Sequence, residues 1–243
     1  MKTEKILWHI GCSGFHYKEW KSVFYPKGMD TAKWFSYYKD QFNALESNVS
    51  FYRLPLLKTL QNWYDKSGRD FSFCVKAPRF ITHFRKFQDA SEGIAQFYDR
   101  VSEGLQDKLA CVLFQLPPRY SYSDERLRLI VESLDLSYTN VIEFRDESWW
   151  NKNVYDLFEK KGIVFCNISH PKFPDRIIAT SPVFYFRFHG KPKLYYSAYE
   201  DKYLRDIFNQ VKCLAGIKKA FMFFNNTAGT GAIDNARYLI SQV

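Results

Sequence analysis

The sequence predicts an α/β protein, a single (β/α)8 TIM barrel over residues 1–243, on three observations. Eight short apolar runs read as strands, and most are separated by segments of helical pattern. No linker, low-complexity tract or shift in composition marks a domain boundary. The 243 residues, 46% hydrophobic and 19% aromatic, supply enough material for one large core. A doubly wound sheet is the alternative, but that fold usually carries a glycine-rich phosphate turn after its first strand. Gly11-Cys12-Ser13-Gly14 fits neither GxGxxG nor a Walker loop.

Ile6 to Gly11 is the first strand, running into Cys12 to Tyr17 and then Trp20 and Phe24-Tyr25-Pro26. Asp30 is a good N-cap for a helix through Tyr38. The second strand opens the stretch Ala44 to Pro55, where period-two alternation puts Ala44, Glu46 and Asn48 on one face and Leu45 and Ser47 on the other. Leu56 to Lys66 reads as a helix ended by Gly68, and Phe71 to Lys76 as strand three, broken by Pro78. Ser91 to Leu105 is helical, and Leu109 to Leu116 is strand four, stopped by Pro117-Pro118. Ser123 caps a helix to Leu134, Asn140 to Phe144 is strand five, and Trp149 to Lys160 is a helix closed by Gly162. Ile163 to Ile168 is strand six. The connection from Ser169 to Ser181 is too broken by proline for a helix, so an irregular segment is expected in place of the helix after strand six. Val183 to His189 is strand seven, Ser197 to Leu214 a helix, Ala220 to Phe224 strand eight and Gly231 to Ser241 the last helix.

Lysine and arginine number 35 against 26 aspartates and glutamates, a net charge of +9 that favours anionic partners. No apolar run is long enough to span a bilayer, and Met1 to Lys5 lead straight into strand one, so an untargeted cytoplasmic chain with no membrane partner is expected. Cys12, Cys74, Cys111, Cys166 and Cys213 are scattered without metal-site spacing, and four of them sit in or directly after apolar strand candidates, as free thiols of a reducing compartment do. His9, His16, His83, His170 and His189 are isolated from one another, so neither a metal nor another cofactor is expected. Ser13 lies on no GxSxG turn, and no cysteine has a histidine beside it in sequence, which argues against a nucleophilic triad.

In a barrel the chemistry gathers at the carboxyl ends of the strands. There the sequence places His9 and Ser13, Glu46 and Asn48, Lys76, Gln115, Glu143 and Arg145, Asn167, Arg187 and His189, and Asn225 with Asn226. A carboxylate facing a barrel interior is costly unless paired. One reading is a closed network in which Glu46 and Glu143 neutralise Lys76, Arg145 and Arg187. The other is a mouth with three cations against two carboxylates, suited to an anionic, phosphate-bearing small molecule. Lys76, Arg145 and Arg187 would then hold the anion, with Asn48, Gln115, Asn225 and Asn226 orienting it. Glu46 and Glu143 would do acid-base work with His189 as proton shuttle, as in a hydrolase or isomerase acting on phosphate-bearing or sugar substrates. A non-catalytic nucleic-acid-binding protein is the alternative. In the loop Lys76 to Phe87, Arg79, His83, Phe84, Arg85 and Lys86 interleave charge with aromatic rings as single strands require.

Larger motifs are also present: Gly11-x-Ser13-Gly14-Phe15-x-Tyr17-x-x-Trp20, Glu46-x-Asn48-x-x-Phe51-Tyr52-Arg53-x-Pro55, Lys76-x-Pro78, Phe114-Gln115-Leu116-Pro117-Pro118, Glu143-Phe144-Arg145, Arg187-x-His189-Gly190 and Phe224-Asn225-Asn226. Together, over nearly the whole chain, they resemble the domain of unknown function 72 family, the YecE-like proteins. The resemblance implies a TIM barrel and no particular activity. The likeness of such barrels to the endonuclease IV type implies DNA binding by analogy alone. Two positions depart from the family pattern: Ser169 stands where aspartate is usual, and Thr227 where histidine or aspartate often follows the asparagine pair. Both changes remove a metal ligand or acid, which weakens a metal-dependent nuclease reading.

Overall fold

A computed structural model describes residues 5–243, so most of the stretch expected to lead into strand one, up to Glu4, lies outside the described residues. Eight parallel strands close in sequence order: β1 (Leu7–Cys12), β2 (Ala44–Ser47), β3 (Ser72–Lys76), β4 (Leu109–Gln115), β5 (Asn140–Glu143), β6 (Val164–Ser169), β7 (Val183–Phe188) and β8 (Lys219–Phe224). Closure is made by β1 on β8, in register from Leu7 opposite Lys219 to Cys12 opposite Phe224. Around them lie α1 (Trp34–Lys39), α2 (Leu57–Lys66), α3 (Ser91–Leu105), α4 (Asp124–Ser133), α5 (Lys152–Lys161), α6 (Asp201–Lys212) and α7 (Gly231–Ile240). Among the described residues no helix is long and apolar enough to cross a membrane.

The strands bury both faces, as parallel strands under helices do. One face fills the barrel with Ala44, Cys74, Leu113, Val141, Cys166, Tyr185, Phe221 and Phe223. The other packs Phe73, Phe114, Phe144 and Phe186 under the helices. Glycine is required at Gly11, because a Cβ there would lie 2.0 Å from the Ala44 carbonyl oxygen where β1 runs against β2.

Local chemistry moves several helix ends from their expected places. Asp30 caps a single 3-10 turn, Thr31–Lys33, by accepting from the Ala32 N–H at 2.8 Å, and α1 follows it. α2 stops at an extended Ser67 rather than at Gly68. Trp149 lies before α5, in the turn Glu147–Trp149, because Asn151 caps that helix by accepting from the Val154 N–H. Gly162 closes α5 in the left-handed region at φ 68°. α6 begins at Asp201, after an extended Glu200, rather than at Ser197.

The segment between β6 and β7 has no helix, as its prolines predicted. Side chains hold it instead. Asn167 Oδ1 accepts from the Ile178 N–H at 2.7 Å, and its Nδ2 donates to the Ile178 carbonyl at 2.9 Å. Thr180 Oγ1 accepts from the Phe165 N–H and donates to the Ile163 carbonyl. Asn167 therefore points out of the barrel, and its expected place at the mouth is corrected: Cys166 and Ile168 are the residues of β6 that face inward.

Candidate functional site

Period-two alternation carries five ionisable or amide side chains inward at the carboxyl ends of their strands: Glu46 on β2, Lys76 on β3, Gln115 on β4, Glu143 on β5 and Arg187 on β7. Arg145, His189 and Asn225 follow just beyond β5, β7 and β8. Arg187 is the hub. Its Nη2 and Nε donate to Glu46 Oε1 at 2.7 and 3.1 Å, and its Nη1 donates to Glu143 Oε2. Tyr185 OH donates to the second oxygen of Glu46 at 2.7 Å, and Arg145 Nε donates to Glu143 Oε1. Two carboxylates and two guanidinium groups thus form one chain of ion pairs from β2 through β7 to β5. Glu46 and Glu143 have 0% exposure.

Burial opposes ionisation of Glu143, but Arg145 and Arg187 outweigh it and hold its carboxyl well below the usual range. Burial and then the Arg145 charge push His189 well below an ordinary histidine, so the imidazole is neutral. Arg145 Nη2 lies 3.0 Å from His189 Nε2, and a guanidinium only donates, so Nε2 accepts. The Asn225 amide lies 3.0 Å from Nδ1.

Lys76 is the cation left over. Its Nζ donates to Gln115 Oε1 at 2.7 Å and sits 3.8 Å from the centre of the Phe51 ring. Among the described residues no carboxylate lies within ion-pair distance of it. Burial, and then the Arg187 charge, lower its pKa from 10.5 to about 7. Lys76 and Gln115 are 8% exposed and so stand above the fully buried carboxylates. His83 and His170 lie nearby, each lowered to about 4, first by burial and then by Lys76 and Arg145 respectively.

The structure does not bring all the expected residues together. His9 lies deeper in the barrel, stacked on Phe221 with ring centres 4.5 Å apart. Asn226 points away from the mouth, donating to the Ser197 carbonyl and to Asn235 Oδ1, both at 3.1 Å. Its expected role in orienting a ligand is therefore corrected to tying the loop after β7 to α7. Asn48 sits at the edge, with Nδ2 donating to the Ser13 carbonyl at 3.3 Å. Asn48 Oδ1 and Ser13 Oγ are buried without partners beside a cavity of about 600 Å³ lined also by Tyr17, Tyr52 and Trp63. Tyr185 and Phe51 are additions. Tyr185 was detectable from its i, i+2 relation to Arg187, whereas nothing in the sequence aimed Phe51 at Lys76.

The loop after β3 folds as a π-helical turn, Phe80–Arg85, followed by Lys86 and Phe87 with φ of 51° and 71°. Phe87 is buried as its anchor, while Tyr52, Phe80 and Phe84 are 72%, 46% and 65% exposed. Arg79 lies 5.6 Å from the Tyr52 ring centre and 5.2 Å from that of Phe84, and Arg85 lies 5.5 Å from that of Phe80. His83 turns from the rim toward the mouth, edge-on to Phe51. Among the described residues no three His, Cys, Asp or Glu side chains are grouped as a metal site would require.

Residues 9–243 match the family described as "Protein of unknown function DUF72". UPF0759 protein YunF of Bacillus subtilis is 23% identical, over 96% of this chain and 93% of its own length. A DUF72 family protein from Thermotoga maritima superposes with a TM-score of 0.88 at 28% identity, covering 97% of this chain and 98% of that one. A second, from Enterococcus faecalis, gives 0.84 at 18% identity, covering 97% and 94%.

Proposed function

The chain belongs to the DUF72 family, and from its barrel mouth we propose that this member binds a small phosphate- or carboxylate-bearing molecule there and transforms it. The observation that carries this reading is the layering of charge. Lys76, Gln115 and Arg145 keep some exposure, while both carboxylates lie beneath them, engaged by Arg187. An incoming anion meets N–H donors first. Glu46 and Glu143 are both engaged in fixing the guanidinium groups, and Glu143 is held far below the working pH near which a useful base titrates. Lys76, at about 7, is the group in that range, so it is the side chain left to do chemistry in a hydrolysis or isomerisation. We place the protein in the cytoplasm. Cys74 and Cys111 are register partners on β3 and β4 and remain free thiols, which suits a reducing compartment.

Thermal unfolding in the presence of inorganic phosphate, sugar phosphates, nucleotides and small carboxylates, at constant ionic strength, tests the reading. A ligand at a hundredfold excess over Kd adds about 2.7 kcal/mol, or roughly 5–10 °C for a chain of this size. Arg145→Met should lose most of that shift. If no phosphate or carboxylate stabilises the wild-type chain, the reading fails.

The exposed Tyr52, Phe80 and Phe84 beside Arg79 and Arg85 favour a second reading, a rim that stacks single-stranded nucleic acid. Phe84→Ala should then weaken binding of a short oligonucleotide by about 1–3 kcal/mol. Binding that does not fall steeply with added salt would exclude it.

A further inference from the structure

Lys76 is poorly explained as a neutralising residue. Glu46 and Glu143 lie in the same barrel, yet both are engaged by Arg187, and Lys76 Nζ is bonded instead to the neutral oxygen of Gln115. The Gln115 carbonyl takes one N–H and so orients the nitrogen. Phe51 walls one side of it at 3.8 Å. The side chain comes from the carboxyl end of an inward-facing barrel strand and retains a small exposure at the mouth. A lysine that is desolvated, set beside other cations and free of a carboxylate is the arrangement that makes an amine a nucleophile.

We propose that Lys76 is a covalent amine nucleophile that forms an imine with an aldehyde or ketone carrying a phosphate or carboxylate group. The nitrogen lone pair attacks the carbonyl carbon, the C=O π pair moves to oxygen, and a proton passes from nitrogen to that oxygen, giving a carbinolamine. With one further proton the hydroxyl leaves as water while the nitrogen lone pair forms C=N. The neutral amine, the carbonyl compound and one proton become an iminium and water, with no change of oxidation state. The iminium then accepts the electron pair released when a proton or a carbon fragment leaves the adjacent carbon, as an isomerase or lyase requires. This substrate class rests on the anion reading above, with Arg145 placed to receive the anionic group.

Burial acts most on the protonation of Lys76, followed by the charges around it: Arg187 on β7, Glu143 and Arg145 at the end of β5 and Glu46 on β2. His83 on the rim also faces it but, lowered to about 4, is uncharged at neutral pH. At pH 7 the Lys76 pKa of about 7 leaves half the amine neutral. That fraction is on the order of a thousandfold above an ordinary lysine.

Borohydride trapping of the full-length protein with substoichiometric pyridoxal 5′-phosphate, located by peptide mass mapping, tests the proposal. The expected result is one predominant adduct, at Lys76, formed at a rate that levels off above about pH 7, suppressed by inorganic phosphate and lost in Lys76→Arg. Adducts spread over surface lysines without preference for Lys76 would overturn it. So would phosphate protecting the fold thermally while Lys76 stays untrapped, a result that leaves the anion reading intact. Pyridoxal without its phosphate should trap Lys76 much more slowly. Equal rates would uphold the amine chemistry and overturn the anion reading instead.

Discussion

Replacing Lys76 by methionine should stabilise the protein in neutral and acid solution and destabilise it in alkali. The folded state lowers the lysine pKa from 10.5 to about 7. Below pH 7 both folded and unfolded chains carry the proton, and the whole cost of the buried charge opposes folding, of the order of 5 kcal/mol. Between pH 7 and 10.5 the folded state releases that proton while the unfolded state keeps it, so the cost shrinks by about 1.4 kcal/mol per pH unit. Above that window it is gone. Methionine keeps an unbranched side chain against Phe51 but leaves Gln115 Oε1 without its donor, a pH-independent loss of about 1–3 kcal/mol. Lys76→Met is therefore expected to gain about 2–4 kcal/mol at pH 6, to match the wild type between about pH 8 and 10, and to fall below it beyond. Urea unfolding of both proteins from pH 6 to 10.5 at fixed ionic strength measures the difference. A difference constant with pH would show that Lys76 is protonated in the fold like any surface lysine, and an advantage of methionine that grows as pH rises would show that the fold stabilises the charge.

Arg187→Met leaves Glu46 buried without a cation and Glu143 with Arg145 alone, and should cost about 3–5 kcal/mol in urea unfolding. Adding Glu46→Gln and Glu143→Gln to it should recover part of that loss, and a triple variant no more stable than Arg187→Met would deny that the carboxylates are coupled through Arg187. Glu143→Gln frees Arg145 from its ion pair and should tighten inorganic phosphate binding by roughly three- to tenfold in calorimetry. Weaker binding would mean that Glu143 itself meets the ligand.

The barrel was legible because β-strands repeat every two residues and several apolar runs ended in an i, i+2 polar pair, as with Glu46/Asn48, Glu143/Arg145 and Arg187/His189. Glu46, Lys76, Gln115, Glu143 and Arg187 were placed inward by that rule and do face inward. Asn167 was misplaced because Val164–Ser169 is buried on both faces, so a polar side chain there does not mark the face that lines the barrel. Asn226 was misplaced because alternation does not continue past the end of β8, where the chain turns toward α7. The pairing at the mouth was beyond sequence reasoning for a different reason. β2, β5 and β7 are not neighbours in the barrel, and only closure sets Arg187 between Glu46 and Glu143. Burial and then the Arg187 charge depress the lysine, and that same meeting leaves it without a carboxylate: three cations against two acids becomes a balanced chain plus one amine outside it.

The Arg187 hub also bears on how the molecule opens. β2 and β5 are the shortest strands, four residues each, and their backbone ladders alone would make them early sites of fraying. Arg187 ties both to β7, so neither can detach without exposing a buried charge. The three strands become one cooperative unit for amide hydrogen exchange, although no backbone hydrogen bond joins them to each other.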